Sequence, residues 1–377
     1  EIIAVGSELL TPDRIDTNSL FLTAELNKLG IEVTHKTIVG DERGEIRDAF
    51  AVALERADAV VACGGLGPTE DDQTRDAVAE LLGRRLISNP EVLRGIQERF
   101  RMLGRQMAEV NARQALVPEG ARVLENERGT APGLWLEASG RPVILLPGPP
   151  HELKALFASA VAEPLGRLAG GVRQVTRELH IVGMGESDVE QRIRDIYLPY
   201  SGVHTTILAA PGETQIYLRA WTSDGAEQEK VLEEMSERIS MALGDHIFAT
   251  DARSLEEVVA EALNTREATI STAESCTGGL LAERLTRVPG SSSYFLGGVV
   301  SYSNDLKTAW VDVPAETIES RGAVSPEVAV ALAEGIRRNT GSTLGVGITG
   351  VAGPGGGTPE KPVGLVHIAI ADGTNTR

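Results

Sequence analysis

The stretch Ser271-Thr272-Ala273-Glu274-Ser275-Cys276-Thr277-Gly278-Gly279 decides how the C-terminal third of this 377-residue chain folds. Ala268 to Thr272 favour a strand, the polar residues after them make a turn, and Leu280, Leu281, Arg284, Leu285 and Val288 continue at helical spacing. A strand therefore stops where a helix begins. Such a junction lifts hydroxyls into a cleft and aims unpaired backbone N–H groups at its contents, which suits a carboxamide oxygen or a phosphate. Taken alone, Ser275 or Thr277 reads first as a helix N-cap.

Working outward, two more strands in this third end in polar or glycine-rich loops. Phe295 to Ser303 runs into the corner Ser301-Tyr302-Ser303-Asn304-Asp305-Leu306-Lys307, and Leu344 to Ile348 runs into Thr349 to Gly357. Parallel packing would gather all three loops at one sheet edge. A serine nucleophile needs a proton acceptor. Of the six histidines only His367 lies here, inside a strand, so a Ser-His-Asp triad is disfavoured and Lys307 and Tyr302 remain as bases. The plainer reading is a solvated helix lysine and a half-buried strand tyrosine.

The N-terminal part alternates strands and helices. Ile2 to Gly6, Ile31 to Val39, Ala59 to Ala62 and Val143 to Leu146 read as strands. Helices open at Asp16-Thr17-Asn18-Ser19, at Glu45 and at Arg75, a rhythm that predicts a parallel sheet covered on both faces. The loop Gly64-Gly65-Leu66-Gly67-Pro68-Thr69-Glu70-Asp71-Asp72-Gln73-Thr74 brings glycine amides beside three carboxylates. A phosphate with a divalent cation would satisfy both, although the acids would also complement the following helix N-terminus. Pro147-Gly148-Pro149-Pro150-His151-Glu152 forms a rigid loop at a strand end, where open α/β sheets bind ligands.

Between residues 166 and 252 a β-α-β-β-α-β order predicts a small open-sheet connector, KH-like or ferredoxin-like, with no basic loop to take RNA. The net charge of −18 opposes binding to nucleic acid. No apolar run reaches the ~18 residues of a membrane span, and Cys63 and Cys276 have no metal or disulfide spacing, which fits the cytoplasm. The sequence opens without Met in mid-strand, as a trimmed chain would.

These motifs resemble one family. Ser7-Glu8-Leu9-Leu10, Asp16-Thr17-Asn18, Gly64 to Thr74, Gly129-Thr130-Ala131-Pro132-Gly133 and Leu146 to Pro150 are similar to the N-terminal domain of CinA, the competence/damage-inducible family, whose fold is that of the molybdopterin-binding MoaB/MogA proteins. Ala273 to Gly279, Gly297 to Asn304, Gly322-Ala323-Val324-Ser325 and Thr349 to Pro354 look like the CinA C-terminal domain, a nicotinamide mononucleotide (NMN) deamidase in that family. The expected architecture is thus α/β in three domains: a MoaB/MogA-like parallel sheet at 1–165, the α+β connector at 166–252, and a CinA C-terminal domain at 253–377.

The resemblance implies two activities. In the C-terminal domain Ser275 would attack the carboxamide, Lys307 and Tyr302 would move the proton, and Glu274, Cys276, Thr277, Gly278, Gly279, Thr349, Gly350 and Gly353 would line the NMN site, with no cofactor. Amides near Thr277 and Gly278 would hold the oxyanion. In the N-terminal domain a metal-dependent ADP-ribose pyrophosphatase would use Asp71 and Asp72 for Mg, Mn or Co. Its substrate would meet Ser7, Glu8, Asp16, Asn18, Gly64, Gly65, Gly67, Thr69, Thr74, Pro147, Gly148 and Glu152. A cytoplasmic homodimer with no membrane or nucleic-acid partner is expected. The competing expectation is a pterin-binding or competence-related scaffold without turnover. Family members continue with a helix opened by Gly-Asp-Arg that helps complete the pocket, so a domain stopping at Arg377 is expected to be truncated.

Overall fold

The computed structural model describes residues 1–223 and 225–377. Its contacts define two compact units. The first comprises Glu1–Arg177, Asp195–Thr205 and Tyr217–Arg238, and the second Glu178–Arg194, Thr206–Ile216 and Ile239–Arg377, so the division runs through the connector.

The N-terminal elements are β1 (Ile2–Val5), α1 (Thr17–Lys28), β2 (Lys36–Val39), α2 (Arg43–Arg56), β3 (Val60–Cys63), α3 (Thr74–Leu81), β4 (Leu86–Ser88), α4 (Pro90–Met102), β5 (Leu116–Pro118), β6 (Arg122–Leu124), β7 (Gly133–Ala138), β8 (Arg141–Leu146), α5 (Pro150–Leu156) and α6 (Ala162–Leu168). The main sheet has the order β2-β1-β3-β8-β7-β6. Its first four strands are parallel, as the alternating pattern predicts, and β7 and β6 join antiparallel. Side chains of β1 alternate between faces. Ile3 and Val5 pack with Ile46, Phe50, Ala77 and Val78, while Ile2 and Ala4 pack with Leu22, Leu26 and Leu153. This two-sided burial holds the strand ends, and hence the loops after them, in one plane. The strand expected at Ile31 to Val39 is shorter, because the ladder begins only where Ile2 meets Lys36.

The connector contains β9 (Arg173–Val182), α7 (Glu186–Tyr197), β10 (His204–Ala210), β11 (Glu213–Thr222), α8 (Gly225–Leu243) and β12 (Ile247–Ala249), with strand order β10-β11-β9-β12.

The C-terminal elements are α9 (Leu255–Thr265), β13 (Ile270–Glu274), α10 (Leu280–Thr286), β14 (Phe295–Val300), α11 (Asn304–Val311), α12 (Ala315–Arg321), α13 (Pro326–Thr340), β15 (Leu344–Gly350) and β16 (Val366–Ala371). β13 is central and parallel to both β14 and β15, and β16 closes the sheet antiparallel. Ala273 faces Val328 and Leu332 of α13, and Ile270 faces Leu263 and Leu285 of α9 and α10. A Cβ on Gly347 would lie 2.2 Å from the Ala329 carbonyl oxygen, so glycine is what lets α13 approach the sheet. Among the described residues no helix is long and apolar enough to cross a membrane.

Candidate functional site

The C-terminal crevice is built by register. Glu274 stands opposite Val300 on one side and Ile348 on the other, so the loops after β13, β14 and β15 emerge side by side. Two hydrogen bonds extend the ladder past the strand ends: the Ser275 amide donates to the Ile348 carbonyl (3.0 Å) and the Ser301 amide to the Glu274 carbonyl (2.8 Å). Ser275 is 8% exposed. Its carbonyl accepts from the Gly278 amide (3.1 Å), which removes that amide from the pair expected to hold an oxyanion.

Lys307 is 2% exposed, against the solvated lysine that its helix would suggest. Its Nζ donates to the carbonyls of Ser301 (3.0 Å) and Tyr302 (3.0 Å). Burial lowers its pKa, with the neighbouring Cys276 acting in the opposite sense. A neutral amine has two N–H bonds and one lone pair. The two main-chain carbonyls take two of the three tetrahedral positions on Nζ, and the third, at the end of β14, carries a proton in the charged form and the lone pair in the neutral one. The Tyr302 side chain is 71% exposed, so its ring stands in solvent while its carbonyl anchors the lysine.

Cys276 couples electrostatically to Lys307, and a Cβ on Gly350 would lie 3.0 Å from its Sγ, which brings the three loops together around this sulfur. Burial pushes the Cys276 thiol up, backbone N–H contacts at Cys276 and Thr277 oppose this, and the Glu274 charge adds to it. The balance keeps the Cys276 thiol protonated at neutral pH.

Three residues expected at the substrate are occupied by the fold. Glu274 is fully buried, and its carboxylate accepts from Thr277 Oγ1 (2.6 Å), the Leu281 amide (3.0 Å) and the Ala282 amide (2.8 Å). It caps α10, and the Thr277 hydroxyl is spent on it. Thr349 Oγ1 donates to the Ala323 carbonyl (2.7 Å). Gly278, Gly279 and Gly353 all have positive φ and shape their loops.

The N-terminal site is a cleft of about 680 Å³ at the C-terminal ends of β1, β3 and β8. Its wall includes the expected Glu8, Asp16, Asn18, Gly64, Gly65, Gly67, Asp71, Asp72, Pro147, Gly148 and Glu152. Ser7, Thr69 and Thr74 instead support that wall: Ser7 exchanges hydrogen bonds with Asp41, Thr69 Oγ1 donates to Asp72, and Thr74 Oγ1 donates to the Gly64 carbonyl. The Asp72 carboxylate also accepts the Gly67 and Thr69 amides, both at 2.8 Å, and so shapes the turn. Asp71 is solvent-facing, and the nearby Thr69 side chain first, then its own amide, hold its pKa below the ordinary value. Asn18 ties α1 to the Pro147 loop by donating to the Gly148 carbonyl (2.7 Å).

Glu8, Asp16, Asp41, Asp71, Asp72 and Glu152 line this cleft against one cation, Arg14. A diphosphate would be repelled unless a divalent cation sat between. Among the described residues no three His, Cys, Asp or Glu side chains form a metal cage. That donor set fits Mg²⁺-type binding, in which one or two carboxylates share the ion with ligand phosphates.

Three family models match: the CinA C-terminal domain at residues 252–377, the "Probable molybdopterin binding domain" at 1–167, and the damage-inducible protein CinA KH domain at 176–249. CinA-like proteins of Solibacter usitatus and Koribacter versatilis are each 50% identical to the chain, which aligns over its whole length and covers 90% and 92% of theirs. This chain belongs to the CinA family. A crystal structure of CinA from Thermoplasma acidophilum matches at 38% identity, over 42% of this chain and 92% of that one, with a TM-score of 0.40.

Within this CinA chain, sequence reasoning passed over Asp41, Arg14 and Gln114, all in the cleft wall. Asp41 follows β2 as directly as the glycine loop follows β3, so position at a strand end was the available signal. The buried Cys63 thiol in the cleft wall is pushed up to about 12 by burial, reinforced by Asp16 and opposed by a hydrogen bond with Asn18. Iodoacetamide in native buffer is therefore expected to leave Cys63 unmodified and to label it only in denaturant. Peptide mass mapping checks this, and rapid native labelling would refute it.

Proposed function

We propose that this CinA-family chain hydrolyses two nucleotides: NMN to nicotinate mononucleotide and ammonia in the C-terminal domain, and ADP-ribose at its diphosphate in the N-terminal domain. The observation that carries the first is the buried Lys307 side chain, whose Nζ donates to two carbonyls beside the Ser275 turn and keeps one further position free. In this reading Ser275 Oγ attacks the carboxamide carbon and Lys307 takes its proton, directly or through Tyr302. Lys307 returns the proton to the departing nitrogen as ammonia leaves, and water then attacks the acyl-serine with the same base. Burial assists because only the uncharged amine can accept a proton. Equimolar ammonia and nicotinate mononucleotide on incubation with NMN would support the reading, and their absence would remove it.

For the N-terminal domain, the acid-rich cleft beside the glycine turn supports the pyrophosphatase reading. Asp71 would hold a Mg²⁺, Mn²⁺ or Co²⁺ ion jointly with the substrate phosphates, while Asp72 keeps the turn in shape. When bound, the ion supplies charge neutralisation on the diphosphate. Asp71→Asn is expected to raise the metal concentration for half-maximal ADP-ribose cleavage by about tenfold or more, as loss of a charged ligand should. A metal titration with unchanged midpoint would exclude Asp71.

The molybdopterin-binding family match favours a second reading of this domain, pterin capture without turnover. Calorimetric binding of molybdopterin with no ADP-ribose cleavage would select it.

A further inference from the structure

We propose that Gln114 is the residue through which the N-terminal cleft recognises the sugar of a sugar phosphate. This rests on reading the cleft as a site for a phosphorylated sugar. Gln114 is 2% exposed and lies in the cleft wall, and its buried Oε1 has no hydrogen-bond partner. A buried amide oxygen left in that state is costly, and it is relieved when an occupant of the cleft donates to it.

The position of Gln114 narrows what that occupant offers. The neighbouring Arg113 donates to the Thr69 carbonyl (2.9 Å) and pairs with Asp76 (3.4 Å), so this segment is tied to the turn that carries Asp71 and Asp72. Gln114 thus lines the same cleft as the carboxylates beside which phosphates and cation would sit. An ionised phosphate ester has oxygen acceptors and nothing to donate to Gln114 Oε1. A hydroxyl close to the phosphate would satisfy Gln114, and a ribose phosphate provides one where a simple alkyl phosphate does not. Sites built around a buried acceptor discriminate strongly against analogues that lack the donor, because the acceptor is then stranded.

The test is calorimetric binding to the whole chain, in saturating Mg²⁺, of ribose 5-phosphate and of pentyl phosphate, which has the same charge and no hydroxyl. Wild type is expected to prefer ribose 5-phosphate by about tenfold or more. Gln114→Met, similar in size and unable to accept this bond, is expected to cut the preference to about twofold or less, with pentyl phosphate binding unchanged. Gln114→Glu keeps the acceptor and is expected to retain the preference, even as its charge weakens both ligands alike. Equal binding of the two phosphates by wild type, binding of neither, or an undiminished preference in Gln114→Met would overturn the assignment. Loss of both ligands in Gln114→Met would overturn it too, by showing a purely structural role. If ribose 5-phosphate is preferred through Gln114 while ADP-ribose stays intact, the pyrophosphatase reading fails and this one stands. If ADP-ribose is cleaved and the preference ignores Gln114, the reverse holds.

Discussion

Ser275→Ala is expected to lower ammonia release from NMN by about 10⁴-fold or more, with ADP-ribose cleavage held within about twofold, because removing a nucleophile that works as a unit with its base removes the covalent route altogether. Lys307→Met is expected to cost about 10²–10⁴-fold, the usual range for general-base loss. The pH profile separates its role from packing. Burial holds the Lys307 pKa below the ordinary lysine value, and the reactive form is the uncharged one. The rate constant kcat/KM should therefore climb as pH rises through that lowered pKa and fall away on the acid side. Lys307→Arg, charged throughout, should remove the climb along with the activity. Cys276→Ala should lose less than about tenfold, since its thiol stays protonated. Ammonia release that survives in Ser275→Ala and vanishes in Cys276→Ala would transfer the nucleophile's role to the sulfur.

Much of this arrangement was legible in the chain itself, for reasons that can be named. Asp16 marks the start of a helix in the sequence, and its carboxylate does accept the Ser19 amide at 2.9 Å, because capping is a local interaction encoded within four residues. The meeting of the loops after β13, β14 and β15 was legible because buried parallel strands leave few ways to place their ends. What could not be read was how each polar side chain would be used. Lys307 looks like a surface lysine in its helix, and only the path of the β14 loop across it supplies the two carbonyls that bury it. Thr349 looks free at a strand end until Ala323, far away in sequence, accepts its hydroxyl. Gln114 carries no local signature at all, because what sets it apart is a missing partner. Periodicity places backbones, whereas the partner of a given side chain depends on tertiary contacts that no spacing rule contains.

Glu274 makes that difference measurable. Resemblance placed it against the substrate, but the fold closes three donors onto its buried carboxylate: the Thr277 hydroxyl and the Leu281 and Ala282 amides. An alanine there leaves two main-chain N–H groups at the start of α10 without an acceptor and opens a cavity beneath the nucleophile turn. At about 1–3 kcal/mol for each stranded buried donor, Glu274→Ala is expected to cost about 3–5 kcal/mol, a large share of an ordinary domain's stability. Glu274→Gln keeps one acceptor oxygen but turns an NH₂ toward the remaining donors, so it should cost less, about 2 kcal/mol. Urea unfolding and native-state hydrogen exchange of the Leu281 and Ala282 amides would read both effects. A residue that contacted NMN would behave in the opposite way, with Glu274→Gln raising KM and leaving the unfolding midpoint and the two amides unchanged. Because Ser275 is joined directly to this buried anchor, the loss of the carboxylate should reach catalysis through the position of the turn, lowering kcat in step with the loosening of α10.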